Sequence, residues 1–378
     1  MKILFYQWHS FMNKGIEKAL TQMQVEYDIF FYQQKEWEKD DGIVGLLEQK
    51  IKKTAYDMVL SVNFAPMVSE VCEQNHILYV SWVYDAPIHI RNLCSLKNSY
   101  NRIFFFDRIQ AAEYQKKGIN AFHMPLAADI DTFKGGISGN DYQTDISFVG
   151  QLYQTDYAYY CSPLDSYHKG YLDGILNAQM KVYGGYFLGE ALNNQLLDEL
   201  NDIYKKASGG SASISKRELE YMMACEITSR ERYVILQLLS KKNQVALYSG
   251  EKDERLKDVF QGGYVDYYEK MPEIFKKSRI NLNISLKIIQ SGIPLRVFDV
   301  LGSGGFLLTN YQVEMPELFS LGEDFVVYES IEDLYAKVDF YLRNEGERKK
   351  IARHGYETVE KYYTFRQQME KMLKQAMG

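Results

Sequence analysis

Short runs of β-branched and apolar residues alternate with stretches of helical periodicity, and this happens twice along the chain, in two series separated by a glycine-rich break. A chain with that rhythm builds parallel sheets wrapped by helices, because each strand must return to its start through a crossover helix. In the first series the strand-like runs are residues 3–6, 27–31, 58–62, 77–83, 103–106 and 121–124. Helical stretches lie between them at 14–23, 44–53 and 66–74, the last opening on Pro66, whose missing N–H costs nothing at a first turn. The runs are continuous rather than alternating, which predicts strands buried on both faces.

The break is Lys134-Gly135-Gly136-Ile137-Ser138-Gly139-Asn140, where periodicity is lost and glycine density rises. The reading is a first α/β domain over 1–135 and a second over 141–360. The stripe Phe365, Met369, Met372 and Leu373 predicts a final helix within 361–378 that packs back on the first domain. The second series runs through 145–149, 245–248, 280–284, 306–309 and 325–327. Between its first two strands stands a tyrosine-rich insertion of helical pattern, about 151–230, interrupted by Ser208-Gly209-Gly210-Ser211-Ala212-Ser213. The expected architecture is α/β, two Rossmann-like domains of α/β/α layering, and a cleft between two such domains is a common place for a ligand. Closure of the domains about the Gly135–Asn140 linker is expected to accompany ligand binding.

At 378 residues each domain can bury its own core without staples. Lys and Arg number 44 against 50 Asp and Glu, a net charge of -6, and no basic block stands out, so a phosphate-tracking nucleic-acid binder is excluded. The four cysteines, Cys72, Cys94, Cys161 and Cys225, form no C-x-x-C pair and have no histidine at ligand spacing. They read as core residues of a reducing compartment, and no metal is expected. No run approaches the ~18 apolar residues of a membrane span, and the apolar start of the chain is too short for a signal peptide. A cytoplasmic location is the expectation, with weak peripheral contact to a membrane through a few lysines left open.

The most informative stretch is Asn281 to Asn310: a strand, a loop carrying Ser285 and Lys287, the turn Gly292-Ile293-Pro294, a short helix bearing Arg296 and Asp299, then Gly304-Gly305 and another strand. Each part has a use for a nucleoside diphosphate. A helix opening after Gly292 offers free N–H groups and positive partial charge to an anion. Lys287 and Arg296 offer full charges, Arg as a bidentate fork. Asp299, one turn on, can accept from ribose hydroxyls or restrain the arginine.

Gly292-Ile293-Pro294-Leu295-Arg296-Val297-Phe298-Asp299, followed by Gly304-Gly305-Phe306-Leu307-Leu308-Thr309, resembles the donor-binding segment of group 1 glycosyltransferases of GT-B fold, most closely the spore-maturation CgeB-like branch. Asp145-Ile146-Ser147-Phe148-Val149-Gly150 resembles the strand and glycine that open the second domain there. Met271-Pro272-Glu273-Ile274-Phe275, Trp82-Val83-Tyr84-Asp85-Ala86-Pro87 and Met124-Pro125-Leu126-Ala127-Ala128-Asp129 resemble further stretches of that branch.

The resemblance implies a metal-independent, retaining hexosyltransferase that takes a nucleotide-activated sugar as co-substrate, a UDP-sugar in the first instance, and no other cofactor. The implied acceptor is a bacterial surface glycan, a lipid-linked precursor or a protein. Lys287 and Arg296 then serve the diphosphate, Asp299 the ribose, and Gly304 and Gly305 close backbone approach. Gly150, Ser285 and Gly292 belong to the same donor site, while Tyr248 and Gly263 end segments that seat the base in such enzymes. As the anomeric bond breaks, charge grows on the diphosphate, so fixed cations stabilise the transition state. Retaining members often carry an E-x7-E pair; here Asp299 is the second acid and Ser291 stands at the first position.

For an inverting reaction a general base must deprotonate the acceptor, and Asp85 and His9, which both follow first-domain strands, are the candidates. Asp129-Ile130-Asp131 matches a D-x-D metal pattern, but beside the linker it reads as turn chemistry. Two rivals stay open: a sugar-nucleotide epimerase or hydrolase of the same fold, and a non-catalytic sugar-nucleotide or glycan-binding protein. A dehydrogenase is disfavoured, because Gln7-Trp8-His9-Ser10-Phe11-Met12-Asn13 after the first strand lacks G-x-G-x-x-G.

Overall fold

A computed structural model describes every residue except His89, Arg91 and 134–140. The expected linker and domain boundary therefore lie outside the described residues. The chain forms two compact units, one of Met1–Gly135 with Ser291–Gly302 and Glu357–Gly378, the other of Gly136–Gln290 with Ser303–Tyr356.

In chain order the first unit begins β1 (Lys2–Gln7), α1 (Asn13–Gln22), β2 (Glu26–Phe31), α2 (Asp41–Lys53), β3 (Met58–Val62), α3 (Pro66–Gln74) and β4 (Leu78–Val83). It continues β5 (Asn101–Phe105), α4 (Arg108–Lys116), β6 (Ala121–His123) and the single turn α5 (Ile130–Phe133). The strands form one six-stranded parallel sheet in the order β2-β1-β3-β4-β5-β6. β1, β3 and β4 are buried almost throughout, as their apolar runs predict. β2 departs from that expectation: it is the sheet edge, and Ile29 and Phe31 are exposed there. Side chains cap the helices as the sequence allows, Asp40 accepting from the Gly42 N–H at 3.1 Å and Asp107 from the Gln110 N–H at 2.9 Å.

The second unit opens with β7 (Thr144–Val149), then five helices, α6 (Tyr157–Cys161), α7 (Ser166–Met180), α8 (Leu188–Ala191), α9 (Asn194–Ser208) and α10 (Lys216–Leu239). β8 (Val245–Tyr248), β9 (Phe260–Gln261), α11 (Lys270–Lys276) and β10 (Ser278–Asn283) follow. Next comes α12 (Leu295–Gly302), which groups with the first unit, and then β11 (Leu307–Asn310), α13 (Met315–Leu318), β12 (Val326–Tyr328) and α14 (Ile331–Arg343). α15 (Glu345–Tyr362) and α16 (Phe365–Met377) complete the chain. Here too the sheet has six strands, all parallel, in the order β12-β11-β10-β7-β8-β9. The fold is α/β with two parallel sheets, as expected.

α9 ends on Gly209 in the left-handed region at φ 67, and α10 starts with a capping box between Ser215 and Glu218. The second half of α10 passes from the helical insertion into the core of the second unit, where Ile235, Leu236 and Leu239 pack with Ile146, Leu247 and Leu282. In the first unit α16, opened by a capping box between Thr364 and Gln367, lies against α1. Phe365 there fills the place where a Cβ on Gly15 would sit, 2.4 Å from its ring, and meets Trp82 edge-on at 5.8 Å.

Candidate functional site

In the second sheet the chain reverses its direction of strand addition between β7 and β10, and in such sheets the carboxyl ends of the two strands beside the reversal flank a ligand crevice. The residues there are polar and sealed from solvent. Asn283 donates to Thr309 Oγ1 at 2.9 Å and to Ser285 Oγ at 3.2 Å, and the Ser285 N–H donates to Asn310 Oδ1 at 2.7 Å. Ser285 is thus held rigidly at the end of β10 by the neighbouring strand. Buried polar groups bonded to one another in this way fix a loop's shape at little free-energy cost.

The loop after β7 is built by charge. Three successive N–H groups, of Leu152, Tyr153 and Gln154, point at the carboxylate of Glu251, the latter two at 3.1 and 3.0 Å. Tyr153 adopts φ 57, a left-handed conformation that costs a bulky residue free energy. From the other side Arg232 of α10 donates through one terminal nitrogen to the Gln151 carbonyl and through the other to the Ile284 carbonyl. Its guanidinium lies 4.8 Å from the Tyr153 ring centre and 5.0 Å from that of Phe148. Burial lowers its proton affinity, opposed by the neighbouring tyrosines and by Glu231 and Glu251.

Lys287 is the candidate cation of the loop after β10, and it is 9% exposed. Its ammonium lies 3.3 Å from the carboxylate of Glu231, donates to the Val182 carbonyl at 3.3 Å and sits 4.3 Å above the Tyr183 ring. The Lys287 N–H donates to Thr228 Oγ1 at 3.0 Å. Glu231 also accepts from the Tyr183 hydroxyl at 2.8 Å, and burial together with this carboxylate raises the Tyr183 and Tyr328 phenols well above their ordinary range.

Around the neighbouring strands, the Gly150 N–H donates to the Tyr248 carbonyl at 3.0 Å, so these two predicted residues meet. Burial raises the Tyr248 phenol. Gly263 takes φ 76 with open space around it, while at Gly262 a Cβ would lie 2.6 Å from the Tyr248 ring. Gly262, which the sequence reading passed over, is therefore the glycine that packs on the tyrosine. Gly304 takes φ 74, the left-handed turn that feeds β11, and Gly305 beside it is buried.

In the first unit, Arg296 and Asp299 of α12 pair at 2.9 Å, with Asp299 almost fully buried. The turn before α12 is gripped by Asp107, which caps α4. Its carboxylate accepts from the Ser291 N–H at 2.9 Å, the Ser291 hydroxyl at 2.9 Å and the Gly292 N–H at 3.2 Å. A Cβ at Gly292 would lie 2.8 Å from the Phe106 carbonyl oxygen and 2.9 Å from the Asp107 Cα. Only glycine fits so close to another main chain.

The first sheet has its own reversal, between β1 and β3. His9 follows β1, is exposed, and meets Phe31 edge-on at 5.3 Å. Asp85 follows β4 and accepts from the Asn63 amide at 2.6 Å; Asn63, at φ 57 after β3, also takes the Tyr84 N–H at 3.0 Å. Asp129 is engaged as a cap, accepting from the Thr132 N–H at 3.0 Å, and pairs with Lys18 at 3.4 Å. Among the described residues no cluster of three His, Cys, Asp or Glu is arranged to hold a metal ion, and no helix is long and apolar enough to cross a membrane.

The fold has counterparts among solved structures. HepE of Anabaena, crystallised with UDP and glucose, aligns over 99% of both chains at 12% identity with a TM-score of 0.57. Sucrose-phosphate synthase of Thermosynechococcus elongatus aligns over 100% of this chain and 99% of its own at 9% identity, TM-score 0.59. A glycosyltransferase of Rickettsia africae aligns over 99% and 97% at 12% identity, TM-score 0.56. The fold is GT-B. Residues 230–374 also match the model of a family described as glycosyl transferase-like. No curated protein sequence matches the chain.

Proposed function

We propose that this protein is a glycosyltransferase that moves a sugar from a UDP-sugar to a glycan, lipid-linked or protein acceptor, without a metal and with retention at the anomeric carbon. The observation that carries the reading is the family match over 230–374, because that segment contains Ser285, Lys287, Arg296, Asp299 and Gly304, the residues the sequence marks for the donor. The buried polar network at the ends of β10 and β11 lies within it. HepE, of the same fold, has been crystallised with UDP and with UDP-glucose, which supports a nucleotide sugar as donor.

The chemistry asks for positive charge where the leaving diphosphate collects its electrons. Arg296, restrained by Asp299, and Lys287, restrained by Glu231, are cations whose rotamers are set before the donor arrives. Such preorganisation lowers the cost of charge development at the moment of bond breaking. Should the reaction invert instead, Asp85, oriented by Asn63, and His9 are the proposed groups that take the acceptor proton.

The test is release of UDP from UDP-sugars in the presence and absence of glycan acceptors, with and without EDTA. Acceptor-dependent release that survives EDTA supports the reading. Donor consumption that ignores every acceptor points to a hydrolase or epimerase, and binding without turnover to a sugar-nucleotide-binding protein.

A further inference from the structure

One face of α10 presents Thr228, Glu231 and Arg232, spaced i, i+3 and i+4, to the loop that leaves β10. Thr228 takes the Lys287 N–H, Glu231 the Lys287 ammonium, and Arg232 the Ile284 carbonyl. Arg232 alone of the three also reaches across the strand reversal, to the Gln151 carbonyl beyond β7. We propose that Arg232 is a positioning residue, a clamp that fixes the spacing between the loops after β7 and β10 and so shapes the donor pocket; the inference rests on the nucleotide-sugar reading above.

Three observations point to a clamp rather than to core filling. An arginine that is 6% exposed carries a large desolvation cost, which apolar side chains of like volume avoid. Its two terminal nitrogens are committed to main-chain carbonyls of two different loops, and a planar fork suits that geometry where a single ammonium cannot span it. The loop it grips contains the strained Tyr153, whose ring covers the guanidinium and whose N–H is held by Glu251. Local strain of this kind persists only where the surroundings over-determine it, and it gathers at ligand sites. Arg232 and Glu251 thus hold opposite sides of the one loop, the carbonyl side and the amide side.

Arg232→Lys separates charge from geometry. It keeps a cation beside Glu231 and Glu251, so the fold is expected to persist by circular dichroism, but it cannot bridge both carbonyls. Calorimetric titration with UDP is expected to show weaker binding by about 10- to 100-fold, the scale on which small misplacements act. In turnover the donor KM should rise while the acceptor KM stays put, a split that general destabilisation does not produce. Unaltered UDP affinity in a folded Arg232→Lys protein overturns the clamp while leaving the proposed function standing; absence of UDP binding to the unaltered protein overturns both. Should Arg232→Lys not fold, hydrogen exchange on the unaltered protein decides: UDP is expected to protect the amides of 151–154 and 284–287 together, and protection of one loop alone contradicts the clamp.

Discussion

The ammonium of Lys287 and the carboxylate of Glu231 lie 3.3 Å apart, on a loop after β10 and on α10, with side-chain exposures of 8% and 1%. Removing one member of a buried pair leaves the other charge uncompensated, at a cost of about 3–5 kcal/mol. Lys287→Met should therefore destabilise the protein by about that amount, and Glu231→Gln by less, since an amide still accepts from Tyr183. The double variant Lys287→Met with Glu231→Gln should recover much of the loss, because it leaves no uncompensated charge. Urea denaturation of the four proteins checks this, and strict additivity would show that the pair does not interact.

At Gly292 the obstacle is main chain rather than side chain. Gly292→Ala drives a Cβ into the Phe106 carbonyl and the Asp107 Cα, which cannot step aside as a rotamer can. The expected cost is about 1–3 kcal/mol, with nucleotide affinity falling as the turn before Arg296 shifts. Gly263→Ala, in open space, should instead show only the strain of its φ of 76 and no loss of packing.

Asp107 secures that same turn through three hydrogen bonds to Ser291 and Gly292 while capping α4. Asp107→Ala leaves buried N–H groups unmet, at about 1–3 kcal/mol each. Asp107→Asn, which keeps an acceptor oxygen, should lose less. Thermal denaturation of both variants against Ser291→Ala, which removes the hydroxyl's bond to Asp107 and the one it accepts from the Ile109 N–H at 3.2 Å, separates the main-chain contributions from those of the hydroxyl.

Strand positions were legible because parallel strands write their burial into unbroken apolar runs. The two-residue β9 was not, being too short to carry a pattern. Ser285, Lys287, Arg296 and Asp299 stood out because charge and hydroxyls interrupt an apolar, glycine-punctuated segment. Arg232 and Glu231 did not, since Arg230-Glu231-Arg232 reads as a solvated charge run on a helix. The available signal was positional: Thr228, Glu231, Arg232, Ile235 and Leu239 recur at helical spacing, which places two charges on the face that Ile235 and Leu239 bury. Asp107 was hidden for another reason, because its partners Ser291 and Gly292 are remote in sequence and only tertiary contact joins them.

Acid should weaken the protein partly through Asp253. The hydrogen bonds from Arg255 hold this carboxyl below its ordinary range, with burial opposing. A folded-state value below the unfolded one means stabilisation that is present above the unfolded carboxylate's titration and lost as pH falls through the folded value. Asp253→Asn should therefore flatten the acid limb of a stability–pH profile and leave neutral-pH dependence unchanged. An acid limb of unaltered slope contradicts the assignment.

If Arg296 serves the donor diphosphate, UDP binds without a metal and its affinity depends on that guanidinium. Calorimetric titration with UDP in EDTA, on the unaltered protein and on Arg296→Ala, tests it most directly. Saturable binding without metal is expected, weaker by about tenfold or more in the variant, the worth of one charge-assisted hydrogen bond. Absence of binding to UDP and to the guanosine, thymidine and adenosine diphosphates, or equal affinity in Arg296→Ala, would contradict it.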